Sequence, residues 1–150
     1  MFRISESSIM ERPPAEVSEV AADPFEQLNW DSGTLKSVEK LTPGPLGRGS
    51  RYRGEFKGFG TVVYEYDEFE PGRRFTHHTL MKIAEVRHLF EFEAVSEGTQ
   101  LTQSIVAEPK GMGKLMAPIM KVMMRRRLRV INSELRQYLL QNRRASSEQQ

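Results

Sequence analysis

The sequence predicts an α+β protein in which a curved antiparallel sheet of about six to seven strands packs against one long C-terminal helix. Two observations lead to this prediction. Short β-like segments separated by turn residues fill residues 34–107, and a helical apolar pattern runs from residue 111 to about residue 141. A sheet with one apolar face must bury that face, and only the last helix is long enough to cover it.

The N-terminal region predicts one strand followed by two short helices. Residues 2–11 mix β-branched and small polar side chains, and the two prolines that follow end the strand because proline removes a ladder donor. Apolar residues at i, i+3 and i+4 then predict a short helix to about residue 22. A second short helix or turn is expected from Phe25 to Trp30.

Six further strands are predicted from β-like segments bounded by glycine- and proline-rich turns. Successive short strands joined by short turns are typical of an antiparallel meander. The predicted strands span residues 34–41, 51–57, 61–69, 74–81, 86–94 and 99–107.

The C-terminal region predicts a helix about 45 Å long, at ~1.5 Å per residue, that should kink near Pro118. The last nine residues, 142–150, are polar, and we expect them to form a disordered tail. Residues 1–141 are therefore predicted to be one ligand-binding domain.

Composition indicates a soluble globular protein. Charged residues make up 28% of the 150 residues, and there is no cysteine, so a disulfide scaffold or a cysteine-based zinc site is excluded. The N-terminal segment has no apolar stretch of signal-peptide length, and no transmembrane segment is predicted. A cytoplasmic location is the resulting expectation.

Positive charge is concentrated at the C-terminal end. The net charge is +2 overall, but residues 121–150 carry +6 and the remaining residues −4. We interpret the basic run from Arg125 to Arg129 mainly as the solvated back of a helix, and weak contact with a membrane surface stays open. No nucleic-acid partner is expected, because no aromatic stacking residues are interleaved. Arg127 falls near the apolar stripe and is expected to pair with Glu134.

Four stretches of the chain resemble one known family, the START-like (SRPBCC) superfamily of polyketide cyclases/dehydrases and lipid-transport proteins. The resemblance implies a helix-grip (START-like, Bet v 1-like) fold with a deep internal cavity for hydrophobic ligands. Members include binders, carriers and cyclases, so the function stays open. The stretches are residues 12–17 leading to 22–24 and Trp30, residues 41–52, residues 64–71, and residues 97–102.

Strand alternation predicts which side chains face the expected cavity. Tyr64 and Tyr66 share one face, as do Phe75 and His77, while the helix is expected to contribute Met112, Met116, Met120, Met123 and Met124. Methionine suits a surface that adapts to varied apolar ligands, although it also fills irregular cores. The predicted ligand-binding residues are Trp30, Tyr52, Tyr64, Tyr66, Phe75, His77, Phe90, Phe92, Gln103, Met116, Met120 and Met123.

The candidate catalytic residues are Tyr64, His77 and His88, because imidazole titrates near neutral pH and can exchange protons with a bound substrate. A histidine with an ordinary structural or surface role is the simpler interpretation. No metal site is predicted, since His77 and His78 are adjacent on a strand and point to opposite faces. No cofactor is expected either.

Three hypotheses follow from the sequence. The first is a protein that binds, transports or sequesters a hydrophobic small molecule such as a lipid, polyketide or aromatic compound. The second is a cyclase/dehydrase-type (aromatase-like) enzyme that uses cavity Tyr64, His77 or Gln103 for proton transfer without a metal or nucleotide cofactor. The third is an interaction protein that uses the basic C-terminal helix. A monomer and a homodimer are both compatible with the sequence.

Overall fold

The chain folds into a seven-stranded antiparallel sheet, two short helices and one long C-terminal helix, which confirms the predicted α+β helix-grip architecture. The computed structural model describes the backbone of residues 1–148 and the side chains of residues 1–142. The elements are β1 (Phe2–Met10), α1 (Pro14–Ala22), α2 (Pro24–Trp30), β2 (Leu35–Lys40), β3 (Arg51–Phe56), β4 (Gly60–Glu70), β5 (Arg74–Leu80), β6 (Ala84–Val95), β7 (Gly98–Pro109) and α3 (Gly113–Glu148).

The strand order is β1-β7-β6-β5-β4-β3-β2, so every neighbouring pair except β1–β7 is consecutive in sequence. Turns of a few residues connect β3 through β7, which is why these strands form a meander. The first strand returns to the last, with Ile4 opposite Ile105 in the register. The two short helices therefore lie on the crossover from β1, at one edge of the sheet, to β2, at the other.

A β-bulge in β4 changes which side chains face inward. Tyr64 and Tyr66 point to the inner face, as alternation predicts, and are buried. The register then shifts between Tyr66 and Glu68, so that Phe69 rejoins the interior against Phe75. The extra residue restores an apolar inner face near the end of the strand, where strict alternation would have placed Phe69 outside.

The long helix α3 extends seven residues beyond the predicted end at residue 141, to Glu148. Residues 142–148 contain neither glycine nor proline, so nothing in this segment stops helix propagation. The expected disordered tail, residues 142–150, partly coincides with this extension, and residues 149–150 lie outside the described residues. Pro118 lies within the helix, in its second turn.

The two halves of α3 differ in burial, and this corrects the predicted helix face. From Leu128 onward the helix is buried along one face, with Leu128, Ile131 and Leu135 in the core. Before that, Gly113, Ala117, Met120 and Met124 face the sheet and the β5–β6 turn, while the other large apolar side chains point to solvent. The exposed residues are Met112, Leu115, Met116, Ile119, Val122 and Met123.

Close packing at the start of α3 explains which face of the helix is buried there. A Cβ atom on Gly113 would lie 1.9 Å from the carbonyl oxygen of Ile83, so no other residue fits there without movement. Because this glycine must face the turn between β5 and β6, the residues at its helical spacing face inward with it. The predicted cavity-facing positions of Met112, Met116 and Met123 are therefore wrong.

Charge separates between the two layers of the molecule. The outer face of the sheet carries acidic side chains on β4 and β6, while α3 carries most of the C-terminal positive charge. In the described part of the chain, no helix has the length and hydropathy needed to span a bilayer. The acidic residues of the outer face include Glu65, Asp67, Glu85, Glu91 and Glu93, of which Asp67 is paired with Arg87.

Candidate functional site

A cavity of about 160 Å³ lies between the inner face of the sheet and helices α2 and α3. Its walls are mainly aromatic and aliphatic, with a few polar groups. Phe59 and Met81 contribute to these walls from the turns after β3 and β5, and both are half-buried. The lining residues are Gln27, Trp30, Phe56, Phe59, Val62, Tyr64, His77, Thr79, Met81, Val86, His88, Phe90, Ile105, Met124, Arg127 and Ile131.

Five of the predicted site residues line this cavity together: Trp30, Tyr64, His77, His88 and Phe90. They come from α2, β4, β5 and β6, so the curvature of the sheet brings together side chains that are far apart in sequence. Alternation correctly placed the four strand residues on the inner face.

Four predicted aromatic residues are buried in the main core rather than in the cavity wall. Phe75 stacks on Phe90 with ring centroids 4.4 Å apart, and Tyr52 stacks on Tyr64 at 5.9 Å. They lie on the same inner face as the lining residues, but their side chains pack in the core behind the cavity wall and do not form part of it. The four are Tyr52, Tyr66, Phe75 and Phe92.

The remaining predicted residues lie elsewhere. Gln103 is fully buried behind the cavity wall, and Met120 belongs to a smaller core cluster around Ile4 and Ile105. Met116 and Met123 are 40% and 45% exposed on α3 and do not line the cavity. The helix face is rotated relative to the predicted one, as the close approach at Gly113 requires.

Some lining residues were not among the predicted ligand-binding residues. Val62 and Ile105 share strand parity with Tyr64 and Gln103, so the alternation signal contained them. Phe59 and Met81 lie on turns, where no periodicity applies, and Arg127 was assigned to another partner. Sequence alone gives no rule that brings turn residues into a cavity wall.

Tyr64 and His77 form the most unusual polar pair in the cavity wall. Their ring centroids are 4.9 Å apart, and neither the Tyr64 hydroxyl nor His77 Nε2 has a hydrogen-bond partner among the described residues, although both atoms are buried. An unpartnered buried polar atom is costly, so each is a candidate to interact with a bound molecule.

Burial keeps both side chains neutral near pH 7. It raises the pKa of Tyr64 well above its ordinary value, with smaller contributions from Tyr52 and Asp23. It lowers the pKa of His77 well below its ordinary value, and the neighbouring His88 adds to this effect. The half-buried surface of His77 faces the cavity rather than bulk solvent, which is why desolvation dominates.

His88 begins a buried hydrogen-bond chain that links the sheet to α3. His88 Nε2 lies 2.7 Å from Oε1 of Gln103, and Nε2 of Gln103 donates to Oδ1 of Asn132 at 2.5 Å. Burial lowers the pKa of His88 to about 4, while the hydrogen bond with Gln103 opposes part of that shift. The role of Gln103 is therefore to connect the cavity wall to α3.

Arg127 reaches the cavity from α3 and pairs with Asp31 at the end of α2. Two guanidinium nitrogens contact the two carboxylate oxygens, one of them at 2.9 Å, and Asp31 has no exposed side-chain surface. Gln27 donates a further hydrogen bond to Asp31 at 2.9 Å. The expected partner, Glu134, is wrong: it lies near this pair, and burial raises its pKa, as does the charge of Asp31.

Two further findings bear on metal chemistry. His78 points to the outer face, where it contacts Glu85 at 2.8 Å, so it does not share a site with His77. The residues that the structure describes contain no group of three or more His, Cys, Asp or Glu side chains arranged to hold a metal ion.

Solved structures with the same fold include several proteins of diverged sequence. An aromatase/cyclase, Zhui from Streptomyces sp. R1128, superposes with a TM-score of 0.78 at 16% identity, covering 97% of each chain. The protein TTHA0849 from Thermus thermophilus gives 0.76 at 18% identity, covering 94% of this chain and 99% of the other. Ara h 8.0201 gives 0.70 at 16% identity, with coverage of 93% and 98%.

These identities are low enough that the structural matches establish the fold alone. No curated protein matches the chain. The family model described as polyketide cyclase/dehydrase and lipid transport matches residues 1–139, which is nearly the whole described chain. The protein therefore belongs to the polyketide cyclase/dehydrase and lipid-transport family.

Proposed function

We propose that the protein binds a small, mainly apolar molecule in the cavity between the sheet and α3. The observation that carries this proposal is the cavity itself, which is walled by aromatic and aliphatic side chains with a few polar groups. Small-molecule sites generally combine such apolar walls with a small number of placed polar groups.

The volume limits the size of the ligand. A cavity of about 160 Å³ is close to the ~150 Å³ engineered cavity that admits benzene in another protein. A compound with one aromatic ring or a short aliphatic chain therefore matches the space. A long-chain lipid or a full-length polyketide would need a wider cavity.

Polar groups in the wall favour a ligand that carries oxygen. At neutral pH the Tyr64 hydroxyl is available as a donor, and His77 has one ring nitrogen without a partner among the described residues. A phenol or an aryl ketone would satisfy one of these atoms while its ring contacts Phe90 or Trp30. A pure hydrocarbon would leave both atoms unpartnered.

Calorimetric titration with p-cresol, toluene and palmitate tests this proposal. We expect p-cresol to bind more tightly than toluene by about tenfold, the value of one hydrogen bond of roughly 1.4 kcal/mol. Palmitate should bind weakly. If none of the three binds, and no apolar compound is found by mass spectrometry of the native protein, the proposal is wrong.

Two adjacent valines provide a matched pair of variants. Val62 lines the cavity, whereas Val63 lies on the opposite face of β4 and is 37% exposed. Val62→Phe should fill the cavity and lower p-cresol affinity about tenfold or more, because the ligand and the new ring compete for the same volume. Val63→Phe should leave the affinity unchanged. Equal effects of the two variants would contradict binding in this cavity.

The Tyr64–His77 pair supports a second candidate, an acid–base enzyme of the cyclase/dehydrase kind. In a dehydration, one group would remove a proton next to a carbonyl and another would protonate the leaving hydroxyl, which departs as water. The lowered pKa of His77 makes it a weak base, and the raised pKa of Tyr64 makes it a weak acid. Binding is therefore the better-supported function.

A turnover assay separates the two candidates. An aromatic β-hydroxyketone gains a conjugated absorbance band on losing water, so catalysis can be followed by ultraviolet spectroscopy. Under the enzyme hypothesis, His77→Phe and Tyr64→Phe should each lower the rate. Saturable binding of the same compound without any absorbance change would support binding alone.

A further inference from the structure

The first half of α3 presents an unusual exposed apolar stripe. Leu115 and Val122 are 77% and 70% exposed, and Ile119 is 59% exposed. Six such residues between positions 112 and 123 fall within about 120° of helix circumference, at ~100° per residue. Scattered exposed apolar residues are normal in proteins, but a contiguous stripe of this kind marks an interaction surface.

A row of positive charge runs beside the stripe. Lys114, Lys121 and Arg125 follow one another along the same side of the helix, within about 40° of arc by the same geometry. There is no aspartate or glutamate anywhere between Pro109 and Ser133. The segment therefore combines a wide apolar face with cations that no carboxylate of the same segment compensates.

Several basic side chains near the stripe already form ion pairs within the protein. The remaining ones are available to a binding partner. Arg127 pairs with Asp31, and Arg129 contacts Glu6 at 3.0 Å. In the part of the chain described by the structure, Lys114, Arg125 and Arg126 are not in any such ion pair. Lys121 lies over the ring of Phe2, with its Nζ 5.4 Å from the centroid.

We propose that residues 112–126, Met112 and the start of α3, dock the protein onto an anionic lipid bilayer, with the apolar stripe in the interface and the basic row against lipid headgroups. A helix with an apolar face and a Lys/Arg-rich flank is the arrangement that binds at such interfaces. Each cation near an anionic leaflet adds to the attraction. The protein lies on the surface and does not span it.

Other occupants fit the same surface less well. A second copy of the chain packed stripe against stripe would bring two sets of cations together, and the segment has no carboxylate to compensate them. A nucleic acid would use the cations but leave the apolar stripe in water. An anionic bilayer uses both features at once.

The docking surface adjoins the cavity wall. Met123 is exposed on the stripe, and the next residue, Met124, lines the cavity. The inference nevertheless stands apart from the proposed ligand binding, because no residue of the stripe is needed to hold a molecule in the cavity. Val62→Phe should therefore leave vesicle binding unchanged.

Cosedimentation with vesicles tests the proposal directly. We expect the wild-type protein to bind vesicles of phosphatidylcholine and phosphatidylserine about tenfold more tightly than vesicles of phosphatidylcholine alone. Raising the salt from about 0.05 M to about 0.5 M should weaken this binding severalfold, because salt screens the attraction. Failure to bind the anionic vesicles at low salt would overturn the proposal.

Two double variants separate the apolar and electrostatic contributions. Leu115→Ser/Ile119→Ser removes apolar contact, and Lys114→Glu/Arg125→Glu reverses the basic row. Each should lower affinity for anionic vesicles about tenfold or more without altering the circular dichroism spectrum, since all four side chains are exposed. Matched controls at exposed sites on the sheet, Val63→Ser and Lys36→Glu, should bind as the wild type does.

Sedimentation velocity identifies the main competing occupant. If the wild type is a dimer that Leu115→Ser/Ile119→Ser converts to a monomer, a second copy covers the stripe and the membrane proposal is wrong. Vesicle binding that survives both double variants would also overturn it. A wild-type monomer that loses vesicle binding with either double variant supports it.

Discussion

A buried carboxylate decides the position of a basic residue on α3. Asp31 has no exposed side-chain surface, and its two oxygens are held by Arg127, with Gln27 adding a hydrogen bond. An ion pair of this kind gains stability only when its hydrogen bonds are complete. The pair joins the end of α2 to the middle of α3, and Arg127 also forms part of the cavity wall.

Removing one member of this pair should be strongly destabilising. We expect Arg127→Met to lower the free energy of unfolding by about 3–5 kcal/mol, because it leaves a buried carboxylate without its cation. Urea denaturation monitored by circular dichroism measures the change. Arg125→Met, at an exposed position on the same helix, should change stability by about 0.5 kcal/mol or less.

A double variant provides the internal check on that prediction. Arg127→Met/Asp31→Asn should be more stable than Arg127→Met alone, because the unpaired charge is gone. If the single Arg127→Met variant is as stable as the wild type, the ion pair does not hold α2 against α3 as described.

At the residue scale, the sequence predicted which face of a strand a side chain occupies better than it predicted which residues form an ion pair. Alternation along β4, β5 and β6 correctly turned Tyr64, His77 and Phe90 inward, since a strand has only two faces. It did not identify Asp31 as the partner of Arg127, because the two are 96 residues apart and nothing local links them. Glu134 is the partner that helical spacing along α3 alone predicts.

Among the elements, α3 shows how small residues determine which face of a helix is buried. The apolar pattern predicted the helix and its length to within two turns, but the large apolar side chains in its first half were assigned to the core. Gly113 and Ala117 face the sheet instead, because there is no space for bulk against the turn at Ile83. A hydrophobicity pattern alone treats glycine as neutral and cannot detect such a contact.

Gly113→Ala should therefore destabilise the protein, although alanine is the better helix former. Alanine normally improves an exposed helix position by about 1 kcal/mol relative to glycine. Here the new Cβ would lie 1.9 Å from a backbone oxygen, so we expect a net loss of roughly 1–3 kcal/mol from overpacking. Thermal denaturation of the two proteins measures the difference.

Gly47→Ala is the matched control for this substitution. Its Cβ would have no neighbour within 4 Å, and its backbone does not need a positive φ. We expect little change or a slight gain in stability there. If Gly113→Ala also stabilises the protein, the start of α3 is not packed as tightly against the β5–β6 turn as the structure indicates.

For the molecule as a whole, the sequence predicted the layers and the meander but not the strand with which β1 pairs. Turn residues between consecutive strands carry a local signal, and β2 through β7 follow it. The pairing of β1 with β7 joins residues about a hundred positions apart, for example Ile4 with Ile105.

Stability of the whole fold should fall as the solution is acidified from pH 7 toward pH 4. The pKa of His88 is about 4 in the folded protein, against about 6.5 when unfolded, and the pKa of His77 is lowered too. The unfolded chain therefore binds more protons in this range, so stability is present above pH 6.5 and is lost below it. The slope approaches about 1.4 kcal/mol per pH unit for each histidine.

Urea midpoints measured at pH 7, 6 and 5 check this dependence. Carboxylates also titrate as the pH falls, so the comparison with His77→Phe isolates one histidine. That variant should lose stability less steeply between pH 6.5 and 5, because one of the two groups that the unfolded state protonates has been removed. Identical slopes for the two proteins would contradict the buried, neutral state of His77.

The uneven distribution of charge also affects how the protein is oriented as it approaches a charged surface. Residues 121–150, most of which lie on α3, carry a net charge of +6 and the remaining residues −4, so the protein has a permanent electric dipole with α3 at its positive end. Such a body rotates in the field of a negatively charged surface, within roughly one Debye length of ~8 Å at physiological salt. Most encounters would then begin with α3 facing the surface, so that a larger fraction of collisions has the orientation needed for docking.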